Sequence, residues 1–131
     1  MNAQPALIIL AVSDLPRAVR FYRSAFGWPQ EVDVPVYAEF AMPGDQRLGL
    51  YERGAFGRNT GQTPDATPDG ALTGTELYFY PADLPAAIVR LEASGARMLS
   101  KLAKRDWGDE AAYFADPDGN VLVMARPLGQ R

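Results

Sequence analysis

The chain has 131 residues, of which 47% are hydrophobic and 22% are charged, values typical of a globular domain rather than of a disordered chain. Its 13 basic and 16 acidic residues give a net charge of −3 and form no basic stripe, which argues against a nucleic-acid partner. Cysteine and histidine are both absent, which excludes disulfides, thiolate nucleophiles, and histidine as a metal ligand or general base.

The first strand and helix are predicted over residues 7–27. Leu7–Val12 is a continuous apolar run, which predicts a strand buried on both faces. Asp14 or Ser13 is suited to cap the following helix, and Gly27 is suited to end it. The apolar residues between these caps recur at helical spacing, with three arginines, Arg17, Arg20 and Arg23, outside the stripe. The stripe consists of Leu15, Ala18, Val19, Tyr22 and Phe26.

Three short strands and a linker are predicted next. The strand candidates are residues 31–36, 37–42 and 47–52. The second and third of them are joined by Pro43-Gly44-Asp45-Gln46, whose residue types are those of a tight hairpin turn. Residues 53–75 are rich in Gly, Thr, Pro and Asp and show no apolar period, which predicts a linker.

The second half of the chain repeats this order. The strand at residues 76–80 is followed by Asp83-Leu84-Pro85, which matches Asp14-Leu15-Pro16 at the start of the first helix. The apolar helix stripe is Leu84, Ala87, Ile88 and Leu91, and the expected stop is Gly95. The remaining strands are expected at residues 97–102, 111–115 and 121–126, with a turn at Asp116-Pro117-Asp118-Gly119-Asn120. Each half therefore reads as a strand, a helix and three strands.

The duplicated helix start, together with Trp107-Gly108 and the run from Tyr113 to Asn120, resembles the vicinal oxygen chelate superfamily of glyoxalases, bleomycin-resistance proteins and extradiol dioxygenases. The resemblance implies an α+β fold in which two tandem βαβββ modules form curved mixed sheets around a shared cavity. A single domain, 1–131, would contain module one at about 5–52, the linker at 53–75 and module two at about 76–127. It also implies a homodimer.

The same resemblance implies where a metal would be held. Members that bind a divalent metal place one ligand on the first strand and one on the last strand of each module. Counting from the two helix-capping Asp residues and from the turns, these positions are Leu7, Gly49, Glu76 and Val123, or Leu48 in place of Gly49 if the register is off by one. Only Glu76 is able to bind a metal, so the resemblance points to the metal-free branch, with no metal and no cofactor expected.

Alternation along the strands then predicts the wall of the cavity. The wall is aromatic and aliphatic, with Glu76 and Arg47 as its charged groups, which suits a small, partly aromatic ligand. The expected ligand-binding residues are Leu7, Ile9, Arg47, Gly49, Tyr51, Glu76, Tyr78, Tyr80, Trp107, Val121 and Val123. For Trp107 two interpretations are open: it closes one mouth of the cavity and stacks on a ligand, or it anchors its loop against the sheet.

Glu76 also has two interpretations. As a functional group it is a carboxylate in an apolar surround, with a raised pKa, that serves as a general base or accepts a ligand's donor or cation. As a structural group it pairs with Arg47 or points to solvent.

Three functions are weighed on this basis. The first is a metal-free protein that binds a small molecule. The second is a lyase or isomerase that uses Glu76 as its base without a metal. The third is a lyase or dioxygenase with an all-oxygen site, for example Glu39, Glu52 and Glu76 holding Mg²⁺, Mn²⁺ or Ca²⁺.

The location and partners follow from what the sequence lacks. No apolar run approaches the roughly 20 residues that span a bilayer, and the first five residues do not resemble a signal peptide. We therefore expect a cytoplasmic protein with a small-molecule ligand, no nucleic-acid partner and no membrane partner.

Overall fold

The chain forms two four-stranded sheets, and each sheet lies in its own unit of the chain. The computed structural model describes residues 1–129. The first unit holds residues 1–23 and 27–66, and the second holds residues 24–26 and the chain from residue 67 onward. Each unit has the predicted order of a strand, a helix and three strands, and each sheet is mixed. The α+β class and the tandem βαβββ modules are confirmed.

The first unit contains four strands in the spatial order β1-β4-β3-β2. β1 runs parallel to β4, whereas β2, β3 and β4 are antiparallel neighbours. The elements are β1 (Ile8–Val12), α1 (Leu15–Phe26), β2 (Gln30–Val34), β3 (Tyr37–Ala41), β4 (Arg47–Glu52) and α2 (Arg53–Thr60).

Helix α1 is capped as the sequence predicts. The Asp14 carboxylate accepts a hydrogen bond of 3.0 Å from the backbone N–H of Arg17, and Gly27 ends the helix in the left-handed conformation, with φ 66°. The buried face is wider than predicted, because Phe21 and Ala25 are buried with Leu15, Ala18 and Tyr22, while Val19 and Phe26 are only half-buried.

The prediction that the first strand is buried on both faces is wrong. β1 lies at the edge of its sheet and pairs only with β4. Ile8 and Ile9 are 43% and 40% exposed, and only Leu10 and Val12 are buried. An apolar run does not distinguish an edge strand from a central one, and here the edge position decides the burial.

The predicted linker at 53–75 begins with a helix, α2. The Glu52 carboxylate accepts hydrogen bonds from the backbone N–H groups of Gly54 (2.9 Å) and Ala55 (2.7 Å), so it caps the first turn. Gly57 is buried against Thr63, where an added Cβ would lie 2.1 Å from the threonine hydroxyl oxygen. The glycines that suggest a linker thus allow close packing in a short helix.

The second unit has the strand order β5-β8-β7-β6, the same topology as the first. β5 runs parallel to β8, and β6, β7 and β8 are antiparallel neighbours. The elements are β5 (Glu76–Phe79), α3 (Leu84–Ala93), β6 (Arg97–Lys104), β7 (Asp109–Ala115) and β8 (Val121–Pro127). Asp83 caps α3, and Leu84 and Leu91 are its buried residues.

Both predicted turns are present. Gly44 and Asp45 have φ of 77° and 61°, the positive values that a tight hairpin turn requires. In the second turn the Asp116 carboxylate accepts hydrogen bonds of 2.9 Å from the backbone N–H groups of Asp118 and Asn120, which makes it a turn-forming residue. None of the helices within residues 1–129 is long and apolar enough to cross a membrane.

Candidate ligand-binding faces

Four of the predicted site residues of the first unit share one side of its sheet. In the strand register Ile9 and Glu39 lie beside Gly49, and Tyr37 lies beside Tyr51. Because side chains alternate along a strand, all of these project to the same side. We call it the Tyr37 face, and it carries Ile9, Tyr37, Glu39, Arg47, Gly49 and Tyr51. Leu7, also predicted for this site, precedes β1 and is half-buried.

The centre of the Tyr37 face is occupied by the ring of Tyr37, which lies over Gly49. A Cβ added to Gly49 would stand 2.4 Å from the tyrosine hydroxyl oxygen and 2.8 Å from a ring carbon. The Tyr51 ring meets the Tyr37 ring edge-on, with centroids 5.3 Å apart. The Tyr51 ring also packs edge-on with Phe56 of α2, with centroids 6.3 Å apart. Gly49 therefore lies directly beneath an aromatic cluster formed by Tyr37, Tyr51 and Phe56.

Glu39 is the buried charge of this face, with only 8% of its surface exposed. Its Oε1 accepts a 2.7 Å hydrogen bond from the Tyr37 hydroxyl, and its Oε2 lies 3.5 Å from Nη1 of Arg47. The Arg47 Nε also lies 3.9 Å from the Glu31 carboxylate. A carboxylate at this depth needs such partners, because an uncompensated buried charge is costly.

The burial of Tyr37 and its bond to Glu39 change its acidity. Burial raises the pKa of the Tyr37 hydroxyl well above 10, and the hydrogen bond to the Glu39 carboxylate and its negative charge raise the pKa further. Tyr37 therefore stays neutral at physiological pH and donates a hydrogen bond to Glu39.

This raised pKa predicts a pH dependence of stability. The unfolded tyrosine has a pKa of about 10. Above that pH the folded state retains a proton that the unfolded state loses, so the free energy of unfolding falls as pH rises. We expect the fall above pH 10 to be shallower in Tyr37→Phe than in the wild type, by at most about 1.4 kcal/mol per pH unit. Urea denaturation at stepwise pH measures both slopes, and parallel curves would contradict the assignment.

In the second unit, Glu76 of β5 pairs with Val121 of β8, and Tyr78 pairs with Val123. Tyr113 of β7 pairs with Val123 from the other side of β8. These residues share one side of the sheet, which we call the Tyr78 face; it carries Glu76, Tyr78, Asp109, Tyr113, Val121 and Val123.

A hydrogen-bonded aromatic cluster lies at one end of the Tyr78 face. Its centre is Asp109, which is fully buried. The hydroxyls of Tyr78 and Tyr80 both donate to its Oδ2, at 2.5 Å and 2.9 Å, and the indole N–H of Trp107 donates to the Tyr78 hydroxyl at 2.9 Å. The rings themselves remain accessible, with Tyr78 37%, Tyr80 51% and Trp107 50% exposed. Burial and the bond to Asp109 raise the pKa of Tyr78, so it remains a neutral donor.

The middle of the Tyr78 face is apolar. Val121 and Val123 are buried with two alanines, and Leu99 and Tyr113 pack against them. The guanidinium of Arg105 lies 5.0 Å from the centre of the Tyr113 ring, a cation–π distance. Val121 and Val123 are thus covered by their neighbours, and Tyr113 presents the accessible surface above them.

Glu76 is exposed. Burial raises the pKa of Tyr113, and the negative charge of Glu76 raises the pKa further. Exposure to water is the opposite of the apolar surround that the general-base hypothesis requires. The exposed carboxylate is accessible both to solvent and to a ligand's donor, and its role stays a prediction.

The positions at which the family resemblance implies metal ligands do not fit a metal. Leu7 and Val123 offer no donor atom, and Val123 is fully buried in the apolar cluster. Gly49 has no side chain, and the space above it is filled by Tyr37. Glu76 is then the single side-chain ligand among the four positions, and one ligand is too few to hold a divalent cation.

The all-oxygen alternative is not supported either. Glu39 projects from the Tyr37 face, whereas Glu52 lies on the opposite side of the same sheet. Glu52 caps α2, and the two backbone N–H groups that it accepts from lower its pKa. Within residues 1–129, no three acidic side chains come together as a metal site.

Four important residues of these faces are absent from the sequence-based list: Tyr37, Glu39, Asp109 and Tyr113. Glu39 was considered only as a metal ligand. Pairing the two strands on either side of the turn at 43–46 places Glu39 opposite Gly49, so this contact could have been found by counting. Asp109 lies two residues before the predicted start of its strand, and the sequence contains no sign of its burial.

Comparisons with known proteins agree with the fold. The model of the Glyoxalase/Bleomycin resistance protein/Dioxygenase superfamily matches residues 4–124. No curated protein matches the chain. A glyoxalase-related enzyme from Fulvimarina pelagi is 25% identical with a TM-score of 0.81, and the match covers 93% of this chain and 86% of that one.

Two further solved structures are similar over nearly the whole chain. A glyoxalase/bleomycin resistance protein/dioxygenase from Nocardioides is 23% identical with a TM-score of 0.78, covering 100% of this chain and 92% of that one. A protein from Agrobacterium tumefaciens, solved by NMR in solution, is 26% identical with a TM-score of 0.76, covering 97% and 99%.

Proposed function

Because the chain belongs to the Glyoxalase/Bleomycin resistance protein/Dioxygenase superfamily, we propose that it binds a small, partly aromatic molecule and that it does so without a metal ion. The observation that carries this proposal is the cluster of Tyr78, Tyr80 and Trp107, whose rings are accessible. The two tyrosine hydroxyls donate to the buried Asp109 carboxylate, and the Trp107 indole N–H donates to the Tyr78 hydroxyl. The absence of donor atoms at three of the four implied ligand positions supports the metal-free part.

The cluster has the properties of a preformed stacking surface. Three aromatic rings that are 37–51% exposed offer apolar area to a ligand. Their hydroxyl and indole groups already have hydrogen-bond partners, so ligand binding need not leave a buried polar group without one. Rings that are held in place before binding lose less conformational freedom on binding, which favours affinity.

The charges of the Tyr78 face indicate the polar part of the ligand. Glu76 is the exposed carboxylate, while Arg105 is already engaged with Ser100 (3.0 Å), the backbone carbonyl of Ala111 (2.8 Å) and the Tyr113 ring. Glu76 is therefore the group most available to accept a hydrogen bond from a ligand or to attract its positive charge. We propose a planar aromatic ligand that carries a hydrogen-bond donor.

Trp107→Ala tests this function. We expect the protein, treated with a chelator, to bind 2-naphthol or 9-aminoacridine, and the variant to bind about three- to tenfold more weakly, since one aromatic stacking contact is lost. Isothermal titration calorimetry measures both affinities.

Trp28→Phe is the control, because Trp28 stacks on Tyr22 in the first unit and phenylalanine retains an aromatic ring there. We expect it to leave the affinity unchanged. Binding that appears only after Mn²⁺ is added would refute the metal-free proposal, and equal affinity in Trp107→Ala would remove the aromatic cluster from it.

A further inference from the structure

A groove on the α1 side of the first sheet has a volume of about 540 Å³. It lies between α1 and β2, and β2 is the edge strand of the sheet. Leu15 and Val19 line it from the helix, and Val34 and Ala38 line it from the strands. Its size is within the range of small-molecule sites, about 300–1,000 Å³.

The helix that forms one wall carries an unbalanced positive charge. α1 contains three arginines and no acidic residue, in a chain whose net charge is −3. Arg20 and Arg23 both line the groove. The Arg23 guanidinium donates to the side-chain oxygen of Gln30. The Arg20 guanidinium makes no hydrogen bond or ion pair with any residue in the range 1–129, so its donors are available to a ligand.

One acidic residue, Asp33, also lines the groove. Two arginines against one aspartate leave an excess of one positive charge beside an apolar floor. This balance favours a ligand with a single negative charge, because a dianion would be repelled by Asp33 without a third cation to compensate. An apolar body would remove the accessible surface of Val19 from water.

We propose that this groove binds the monoanion of a small carboxylic acid, with the carboxylate at Arg20 and Arg23 and a short aliphatic body along Leu15 and Val19. The planar fork of a guanidinium matches the two oxygens of a carboxylate. Asp33 and Ala38 are paired in the register and project to the side of the sheet opposite to Glu39, so the carboxylate position proposed here is separate from the aromatic cluster of the Tyr37 face.

Octanoate, below its micellar concentration, is the probe, and ¹H–¹⁵N correlation spectra are the measurement. We expect saturable shifts confined to the amides of α1, β2 and the first residues of β3. Arg20→Gln should weaken binding by about tenfold, the loss of one charge-assisted hydrogen-bonding pair. Val19→Glu adds a negative charge to the apolar wall and should abolish binding, with thermal unfolding used to verify that the variant is folded.

Arg17→Gln is the matched control, since it removes the same charge from the same helix outside the groove. It should leave the octanoate affinity within about twofold of the wild type. Octylamine, with the same chain and the opposite charge, should not bind. Absence of saturable shifts with octanoate, equal binding of octylamine, or equal weakening by Arg17→Gln and Arg20→Gln would overturn the proposal. None of these results bears on the binding of aromatic probes at Trp107.

Discussion

Gly49→Ala is expected to lower the free energy of unfolding by about 1–3 kcal/mol, the usual cost of forcing an extra carbon into a filled space. The new Cβ would lie 2.4 Å from the Tyr37 hydroxyl oxygen, which is too close for any real contact. The ring would have to move, and its 2.7 Å hydrogen bond to the buried Glu39 would be lost or stretched. Denaturation in urea measures the change.

Gly49→Ala should no longer lower the free energy of unfolding in a protein that lacks the Tyr37 ring. Gly49 lies in β4 and is not among the glycines with positive φ, so its backbone accepts alanine without strain. In a Tyr37→Ala background, Gly49→Ala should be neutral or stabilising by about 0.4–1 kcal/mol, because alanine restricts the unfolded chain. The double-mutant cycle therefore isolates the contact between the two residues.

Tyr37→Phe separates the steric from the polar part of this prediction. It removes the hydroxyl but keeps ring carbons at 2.8 Å and 2.9 Å from the added Cβ. Gly49→Ala should remain costly in this background. Equal costs in the wild-type, Tyr37→Phe and Tyr37→Ala proteins would show that Tyr37 does not lie over Gly49.

The sequence predicts those parts of the fold that depend on local chemistry. The caps Asp14 and Asp83, the hairpin turn at 43–46 and the order of strands and helices each follow from a few neighbouring residues, and all are found. The parity of the strands also places Arg47, Gly49 and Tyr51 on one side of a sheet, as predicted.

What the sequence does not predict depends on how side chains pack in the folded chain and on where a strand lies in its sheet. The sequence predicts no helix at α2, because Gly54 and Gly57 within it have low helix propensity. Its stability depends instead on the cap at Glu52 and on close packing of Gly57 against Thr63. The apolar run of β1 predicts a strand buried on both faces. Such a run carries no information about whether the strand lies at the edge of its sheet, and β1 does.

The candidate sites show the same division. Alternation predicts which side a residue takes, but the side-chain conformation that brings Tyr37 over Gly49 is decided by space in the folded protein. Because aspartate is depleted in strands, the sequence predicts a strand that begins only at residue 111 and omits Asp109. Asp109 is buried there because the hydroxyls of Tyr78 and Tyr80 supply the hydrogen bonds that a carboxylate needs in the interior.

Asp109→Ala is therefore expected to lower the free energy of unfolding by about 1–3 kcal/mol, since two tyrosine hydroxyls lose their acceptor. Because Tyr78 and Tyr80 are partly exposed, water replaces part of the lost bonding and keeps the cost within this range. Asp109→Asn should cost less, because its amide oxygen still accepts one hydrogen bond. Asp106 is an exposed aspartate in the loop that precedes β7, and Asp106→Ala should change stability by no more than about 0.5 kcal/mol.

Two further measurements distinguish this hydrogen-bonded cluster from simple packing. Burial raises the pKa of the Tyr78 hydroxyl, and its hydrogen bond to Asp109 and the negative charge of Asp109 raise the pKa further. Both variants of Asp109 should therefore shift the phenolate absorbance of one tyrosine to lower pH. Trp107, which donates to Tyr78, should lose its fixed position, and in a Trp28→Phe background its fluorescence anisotropy should fall. An unchanged phenolate titration together with unchanged anisotropy would mean that Asp109 does not hold the aromatic surface, and the preformed binding surface proposed for Tyr78, Tyr80 and Trp107 would lose its physical basis.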